Sequence, residues 1–326
     1  MKKVLIAILL LGLLPHVSAD YIHWVDFRLS APVLRSALEL DMASQGGEQP
    51  LDWIDILALA AAWRGGTGVT VADTQRAAQA LRGDTPPERL PGMAGRCFSY
   101  YRAAYGAALG GLVGHFAIRR TDPQTGEAEW IPAYGLKAFS PIAAGYPWSH
   151  YPDFGAQRSY GYARPHLGND ILGALGTPIC AVEGGTVEAL GWNRYGGWRI
   201  GIRSDDRKRY YYYAHLRKDT PYAEGLAVGQ RVQAGEVIGF MGRTGYSAQE
   251  NVNNIETVHL HFGLQLIFDE SQKECDSEIW IDVYPIIELL ASHCSSVARD
   301  PQTGRWERLY PYCDLDAEPL RSAAAR

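Results

Sequence analysis

A chain of 326 residues is long enough for two domains, and its 47% apolar and 21% charged content excludes wholesale disorder. Its formal net charge of −5 argues against nucleic acid or an anionic surface as partner, because such binders concentrate basic residues.

Residues 1–19 read as a secretory signal peptide: Lys2 and Lys3 precede an apolar run from Val4 to Leu14, and Val17-Ser-Ala19 places small residues before Asp20. The run is too short to span a bilayer, and no later stretch approaches ~20 apolar residues. The expectation is a secreted, extracytoplasmic protein with no membrane span once the signal is removed. Residues 20–114 read as a mostly α-helical N-terminal region. Apolar residues recur at three- and four-residue steps over 31–42, 50–63, 71–81 and 97–112, with Asp52 and Asp55 suited to one helix start and Gly65-Gly66 to its end. No chemical constellation marks this region; a latch, a wall- or protein-partner-binding module and a spacer are all open to it.

From His115 the period changes. Residues 115–120 and 127–132 flank Asp122-Pro-Gln-Thr-Gly126 as a hairpin, and a Gly-, Pro- and Tyr-rich linker follows, so 115–160 reads as hairpin and linker. Over 161–268 short strands alternate with glycine turns, which favours an antiparallel β-barrel or sandwich. The run Arg-Tyr-Tyr-Tyr-Tyr-Ala-His over 209–215 puts aromatics on both faces of one strand. Packing is the simpler account of them, with substrate stacking, Tyr213 included, as the alternative. A strand and short helix over 277–290 close the domain at 161–290, leaving 291–326 as a peripheral tail. Five cysteines leave at least one unpaired within the chain. Cys180 reads as a small buried hydrophobe, and Cys294 with Cys313 or Cys275 as a candidate disulfide.

Two motifs carry the chemistry, His166-Leu-Gly-Asn-Asp170 and His259-Leu-His261. In a strand, residues i and i+2 share a face, so both histidines of the second motif can enter one pocket. Three protein ligands with one open position are the arrangement of a catalytic zinc, and no His-Glu-x-x-His helix is present.

Further pieces follow in order: Gly176-Thr-Pro178, Gly184-Gly-Thr-Val187, Tyr213-Ala-His-Leu216, Val228-Gly-Gln-Arg-Val-Gln-Ala-Gly-Glu-Val-Ile-Gly239, Gly242-Arg-Thr-Gly245 and His259-Leu-His-Phe262. Together these resemble the lysostaphin/LytM-type zinc endopeptidases, over roughly residues 140–290. The resemblance implies a mainly β catalytic domain of small antiparallel strands that hydrolyses peptides of bacterial cell-wall peptidoglycan. By position it implies one zinc per chain on His166, Asp170 and His261, with His215 and His259 serving the reaction. His259, on the ligand face, is placed to take a proton from water and His215 to donate to the oxyanion, with the reverse assignment equally open to the sequence. The sequence departs from the family at 246–258, a longer polar loop whose Asn251, Asn253 and Asn254 suit hydrogen bonding to a peptide. Two other readings stand beside this one. The first is an inactive domain of the same fold that binds the wall or activates another enzyme. The second is a lipoyl- or biotinyl-type carrier, suggested by 228–239 but lacking the exposed lysine such a carrier needs.

Overall fold

The computed structural model describes residues 21–160, 162–273 and 277–317. The expected signal peptide lies outside them, as does Cys275. Four helices come first: α1 Ala31–Ser44, α2 Trp53–Arg64, α3 Val71–Leu81 and α4 Met93–Leu109. The Asp52 side chain accepts from the Ile54 N–H and so starts α2 at Trp53, and Gly65, at φ 63°, ends it in the left-handed conformation open to glycine. Apolar on every side, α2 is buried along almost its whole length, as befits a helix surrounded by others. No helix among the described residues is long and apolar enough to cross a membrane.

The strands are β1 Val113–Thr121, β2 Ala128–Leu136, β3 Trp148–His150, β4 Gln157–Tyr160, β5 Tyr162–Pro165, β6 Asn169–Gly173, β7 Pro178–Cys180, β8 Gly185–Asn193, β9 Gly197–Ser204, β10 Arg209–Ala214, β11 Arg231–Val232, β12 Val237–Phe240, β13 His259–Leu266 and β14 Ile279–Trp280. Helix α5 Tyr284–Leu290 and strands β15 Val297–Arg299, β16 Trp306–Arg308 and β17 Tyr312–Asp314 complete the chain. The main sheet runs β11-β8-β9-β10-β13-β6-β3 with β14 beside β13, and every pairing is antiparallel. It stays open, with β11 and β3 as edges, so the expected barrel is not closed.

One core cluster joins both regions, from Leu34, Ile56, Leu57 and Leu109 of the helices to Ile200, Ile202, Tyr211, Tyr213 and Leu264 of the sheet. A buried polar joint fixes their contact. Arg209 Nε and Nη2 donate to Glu183 at 2.7 and 3.0 Å, while Nη1 donates to the Ala107 carbonyl at 2.8 Å. The guanidinium thus satisfies a carbonyl that the last turn of α4 leaves open.

Two expectations about the C-terminal residues fail. The tail is not peripheral, since β17 pairs with β1 in the sheet β17-β1-β2 and Lys137 Nζ pairs with Asp314 and Asp316, each at 2.9 Å. Backbone hydrogen bonding to β1 is available only once β1 has folded, which no local signal in the tail reveals. Cys294 is a free thiol that donates to the Ala291 carbonyl, so it forms no bridge to Cys313. Cys180 is a buried hydrophobe, and burial pushes its thiol pKa up to about 12.

Candidate functional site

Strand register assembles the site. In β6 and β13, His261 lies opposite Asp170 and His259 opposite Leu172. Opposed residues of an antiparallel pair point to the same face, so Asp170 and His261 share it, and His259 joins them two residues away. His166 arrives from the turn between β5 and β6, and Ala214, opposite His261, delivers His215 just past the end of β10. His215 holds φ 60°, a left-handed conformation that costs a β-carbon-bearing residue energy. Its N–H bond to the Gly196 carbonyl at 2.7 Å and its Nδ1 contact with the Thr244 carbonyl at 2.9 Å hold it there.

Three atoms converge. His166 Nε2 lies 2.8 Å from His261 Nδ1 and 3.0 Å from Asp170 Oδ1, and His261 Nδ1 is 3.2 Å from the same oxygen. Zinc with bonds of about 2.0–2.1 Å has tetrahedral edges of about 3.3 Å, so this triangle fits one face of such a site. The surroundings orient each donor. His166 Nδ1 faces the Asp153 carbonyl at 3.2 Å and Asp153 Oδ2 at 3.1 Å, both acceptors, so Nδ1 carries the proton and Nε2 the lone pair. Arg158 Nη2 donates to Asp170 Oδ2 at 3.0 Å and to Asp153 Oδ2 at 2.7 Å, leaving Oδ1 as the oxygen Asp170 turns to the centre.

Burial raises the Asp170 pKa, but the hydrogen bonds from His166 and His261 and the charges of His261 and His259 outweigh it and hold the carboxyl well below its usual range. Burial lowers the pKa of His261 and lowers that of His215 further, so both are neutral at neutral pH. His215 and His259 each turn Nδ1 to a carbonyl, of Thr244 and Thr257 respectively, both at 2.9 Å. Their Nε2 atoms are left for chemistry, and His259 Nε2 is 3.7 Å from Asp170 Oδ1. A neutral imidazole whose Nδ1–H is engaged has no proton at Nε2, so His215 accepts there.

The cleft in front of these atoms holds about 270 Å³ and is lined by His166, Asp170, His215 and His261 together with Tyr195, Arg199, Tyr212, Tyr246 and Trp280. Tyr213 is not among its walls. It is fully buried, and its hydroxyl accepts from the Val182 N–H at 2.9 Å. Period-two alternation sends Tyr211 and Tyr213 to the core and Tyr210 and Tyr212 to the cleft, so choosing Tyr213 misses by one residue.

The three loop asparagines also lie outside the lining. Asn251 Oδ1 accepts from Trp198 Nε1 and the Asp219 N–H, each at 2.9 Å, and its amide donates to Asp219 at 2.7 Å. Asn254 donates to the Tyr246 carbonyl at 2.7 Å, and Asn253 Oδ1 is buried. Asn251 and Asn254 pin the loop, Asn253 Oδ1 has no hydrogen-bond partner, and Tyr246 is the residue the loop contributes to the cleft. Asp153, Arg158, Arg199 and Trp280 escaped the sequence reading because no short-range spacing ties them to the histidines.

The profile of Peptidase family M23 matches residues 164–274. The chain is 35% identical over 177 residues to the L-Ala–D-Glu endopeptidase of Bacillus subtilis (strain 168), covering 51% of this chain and 52% of that protein. It is 38% identical over 98 residues to the glycyl-glycine endopeptidase ALE-1 of Staphylococcus capitis, covering 30% of this chain and 24% of that protein. The chain thus spans about half the length of the first relative and a quarter of the second. Among solved structures, the catalytic domain of the antimicrobial peptidase lysostaphin from Staphylococcus simulans is 29% identical, covering 44% of this chain and 92% of that one, with a TM-score of 0.33. The matched stretch contains His166, Asp170, His215, His259 and His261, so the residues gathered at the cleft fall within the part of the chain that is similar to Peptidase family M23.

Proposed function

We propose that the protein is a secreted, zinc-dependent endopeptidase that hydrolyses peptide bonds in the stem or cross-bridge peptides of bacterial peptidoglycan. The observation that carries this reading is the convergence of His166 Nε2, Asp170 Oδ1 and His261 Nδ1 within 3.2 Å of one another, backed by Asp153 and Arg158 and open to a cleft. Two neutral imidazoles and one carboxylate, all preorganised, suit one zinc per chain. They favour an enzyme over an inactive scaffold, which has no need of a complete donor set. Zinc bound there supplies Lewis acidity, polarising a peptide carbonyl and making water nucleophilic near neutral pH.

The side chains do the rest. His215, held neutral with Nδ1 engaged, accepts a proton at Nε2. His259 Nε2 opens toward Asp170 Oδ1 and is near enough to relay a proton toward the leaving nitrogen. Secretion to the cell envelope rests on Lys2-Lys3, the apolar run and Val17-Ser-Ala19. The two relatives are named for different bonds, L-Ala–D-Glu and glycyl-glycine, so both stem and bridge are substrates to test.

Zinc-loaded full-length protein incubated with peptidoglycans of known cross-bridge should release fragments, identified by mass spectrometry, with new amino termini at one bond type. A chelator should stop the release and zinc restore it. Walls left intact by fully loaded protein would overturn the enzyme reading. His215→Ala and His259→Ala should each keep about one zinc and lose on the order of a hundredfold in rate. Metal loss in either variant would make that histidine a ligand.

A further inference from the structure

The cleft holds one arginine, Arg199, whose charge no carboxylate among the described residues answers. Arg158 is taken up by Asp153 and Asp170. Arg164 lies over the Tyr195 and Tyr246 rings, 4.6 and 5.5 Å from their centroids. Arg199 differs: its Nε is buried with no hydrogen-bond partner, and no carboxylate of the described residues pairs with its guanidinium. The Glu278 carboxylate, also on the cleft wall, accepts from the indole of Trp280 at 2.7 Å. A buried charged donor left unbonded is costly, and it is kept where a ligand completes the bond.

Register says where that ligand must reach. Tyr213 pairs with Ile200 and Ala214 with His261, so Ala214 and Arg199, each one residue further along, extend the row of His261 on the cleft face. Two strand spacings put the Arg199 backbone roughly 10 Å from that of His261. An extended peptide covers that distance in about three residues. Only the small Ala214 side chain stands between the two in that row.

We propose that Arg199 binds a carboxylate of the substrate peptide about three residues from the bond held at the metal, so that the cleft takes acidic stem peptides in preference to oligoglycine. The inference rests on the peptidase reading above and names its substrate class. A glycine bridge carries no side-chain carboxylate, whereas a stem peptide containing D-glutamate does. Arg199 is then a specificity-determining residue, and its planar fork suits bidentate pairing with a carboxylate.

The test uses full-length protein and three synthetic peptides: L-Ala–D-Glu–L-Lys–D-Ala–Gly–Gly with a free D-Glu carboxylate, which places the D-Ala–Gly bond three residues from it, the same peptide amidated there, and pentaglycine, all C-terminally amidated. Affinity is measured by calorimetry on zinc-stripped protein, and kcat/KM on zinc-loaded protein. Wild type should bind the acidic peptide roughly ten- to a hundredfold more tightly than its amide. Arg199→Gln should erase that difference while leaving amide binding unchanged, and Arg199→Lys should restore part of it. The proposal is overturned if wild type treats acid and amide alike, binds none of the three or prefers pentaglycine, or if Arg199→Gln still discriminates. Discrimination in binding without cleavage would overturn the peptidase reading and leave the carboxylate subsite standing. Cleavage of acid and amide at equal rates, with equal affinity, would do the reverse.

Discussion

Gly168 stands between the two ligands of the first motif, and its importance lies in the side chain it lacks. A β-carbon there would come within 2.7 Å of both His261 Cε1 and the Phe262 carbonyl, closer than real β-carbons approach anything. Gly168→Ala is therefore expected to push His261 off the triangle. Elemental analysis should find zinc well below one per chain, with the fold retained by circular dichroism; a full metal load would show that the ring has room to shift. Asp153 acts one step further out, on His166 Nδ1, and also accepts from the Asn169 amide at 2.9 Å. Asp153→Ala should weaken zinc binding about tenfold, read by competition with a chelator, because His166 Nδ1 then loses the carboxylate and keeps only the main-chain carbonyl of residue 153. Unchanged affinity would reduce Asp153 to a packing residue.

Between elements, the joint at Glu183 has the largest predicted effect on stability. Its carboxylate accepts from Arg209 and from the Tyr211 hydroxyl at 2.6 Å, and Arg209 in turn holds the end of α4. Glu183→Gln leaves the buried guanidinium with the half-exposed Asp206, at 3.0 Å, as its remaining counter-charge, so the loss falls below the about 3–5 kcal/mol of a fully broken buried pair. Urea unfolding should show the loss as a lower midpoint at unchanged slope, with the helices and the sheet unfolding together. If the helices melt first and the β signal keeps its wild-type midpoint, the joint is not what couples them.

At the scale of the molecule, His293 links the returning C-terminal segment to the chain between the hairpin and the main sheet. Its Nδ1 donates to the Ala138 carbonyl at 2.6 Å and its ring stacks on Phe139 at 4.6 Å. Burial lowers its pKa from 6.5, the Ala138 bond opposes that, and Arg308 adds to the lowering. The folded state thus takes up a proton less readily than the unfolded one. This contribution to stability is complete above pH 6.5 and is lost as pH falls from there through the lower folded value. Denaturant midpoints at pH 7.5 and 5.0 should fall more for wild type than for His293→Gln; parallel slopes would assign the acid sensitivity to other groups.

Helix periods, the hairpin around 122–126, the strand-rich character of 161–268 and the two histidine motifs whose atoms converge were legible because each is carried by residues a few positions apart. The sequence reading located His166, Asp170 and His261 without any knowledge of register. What it lacked was everything that depends on pairing at long range. Which face of β10 meets the cleft separates Tyr212 from Tyr213, and two of the loop asparagines, Asn251 and Asn254, are consumed by Trp198, Asp219 and Tyr246. Asp153 reaches His166 across 13 positions of chain that carry no recognisable motif. Likewise β17 finds β1 only after nearly two hundred residues have folded between them. Local chemistry fixes which atoms can bind a metal or start a helix. The choice of neighbour belongs to backbone hydrogen bonding and burial summed over the whole chain, and that sum exists only in three dimensions.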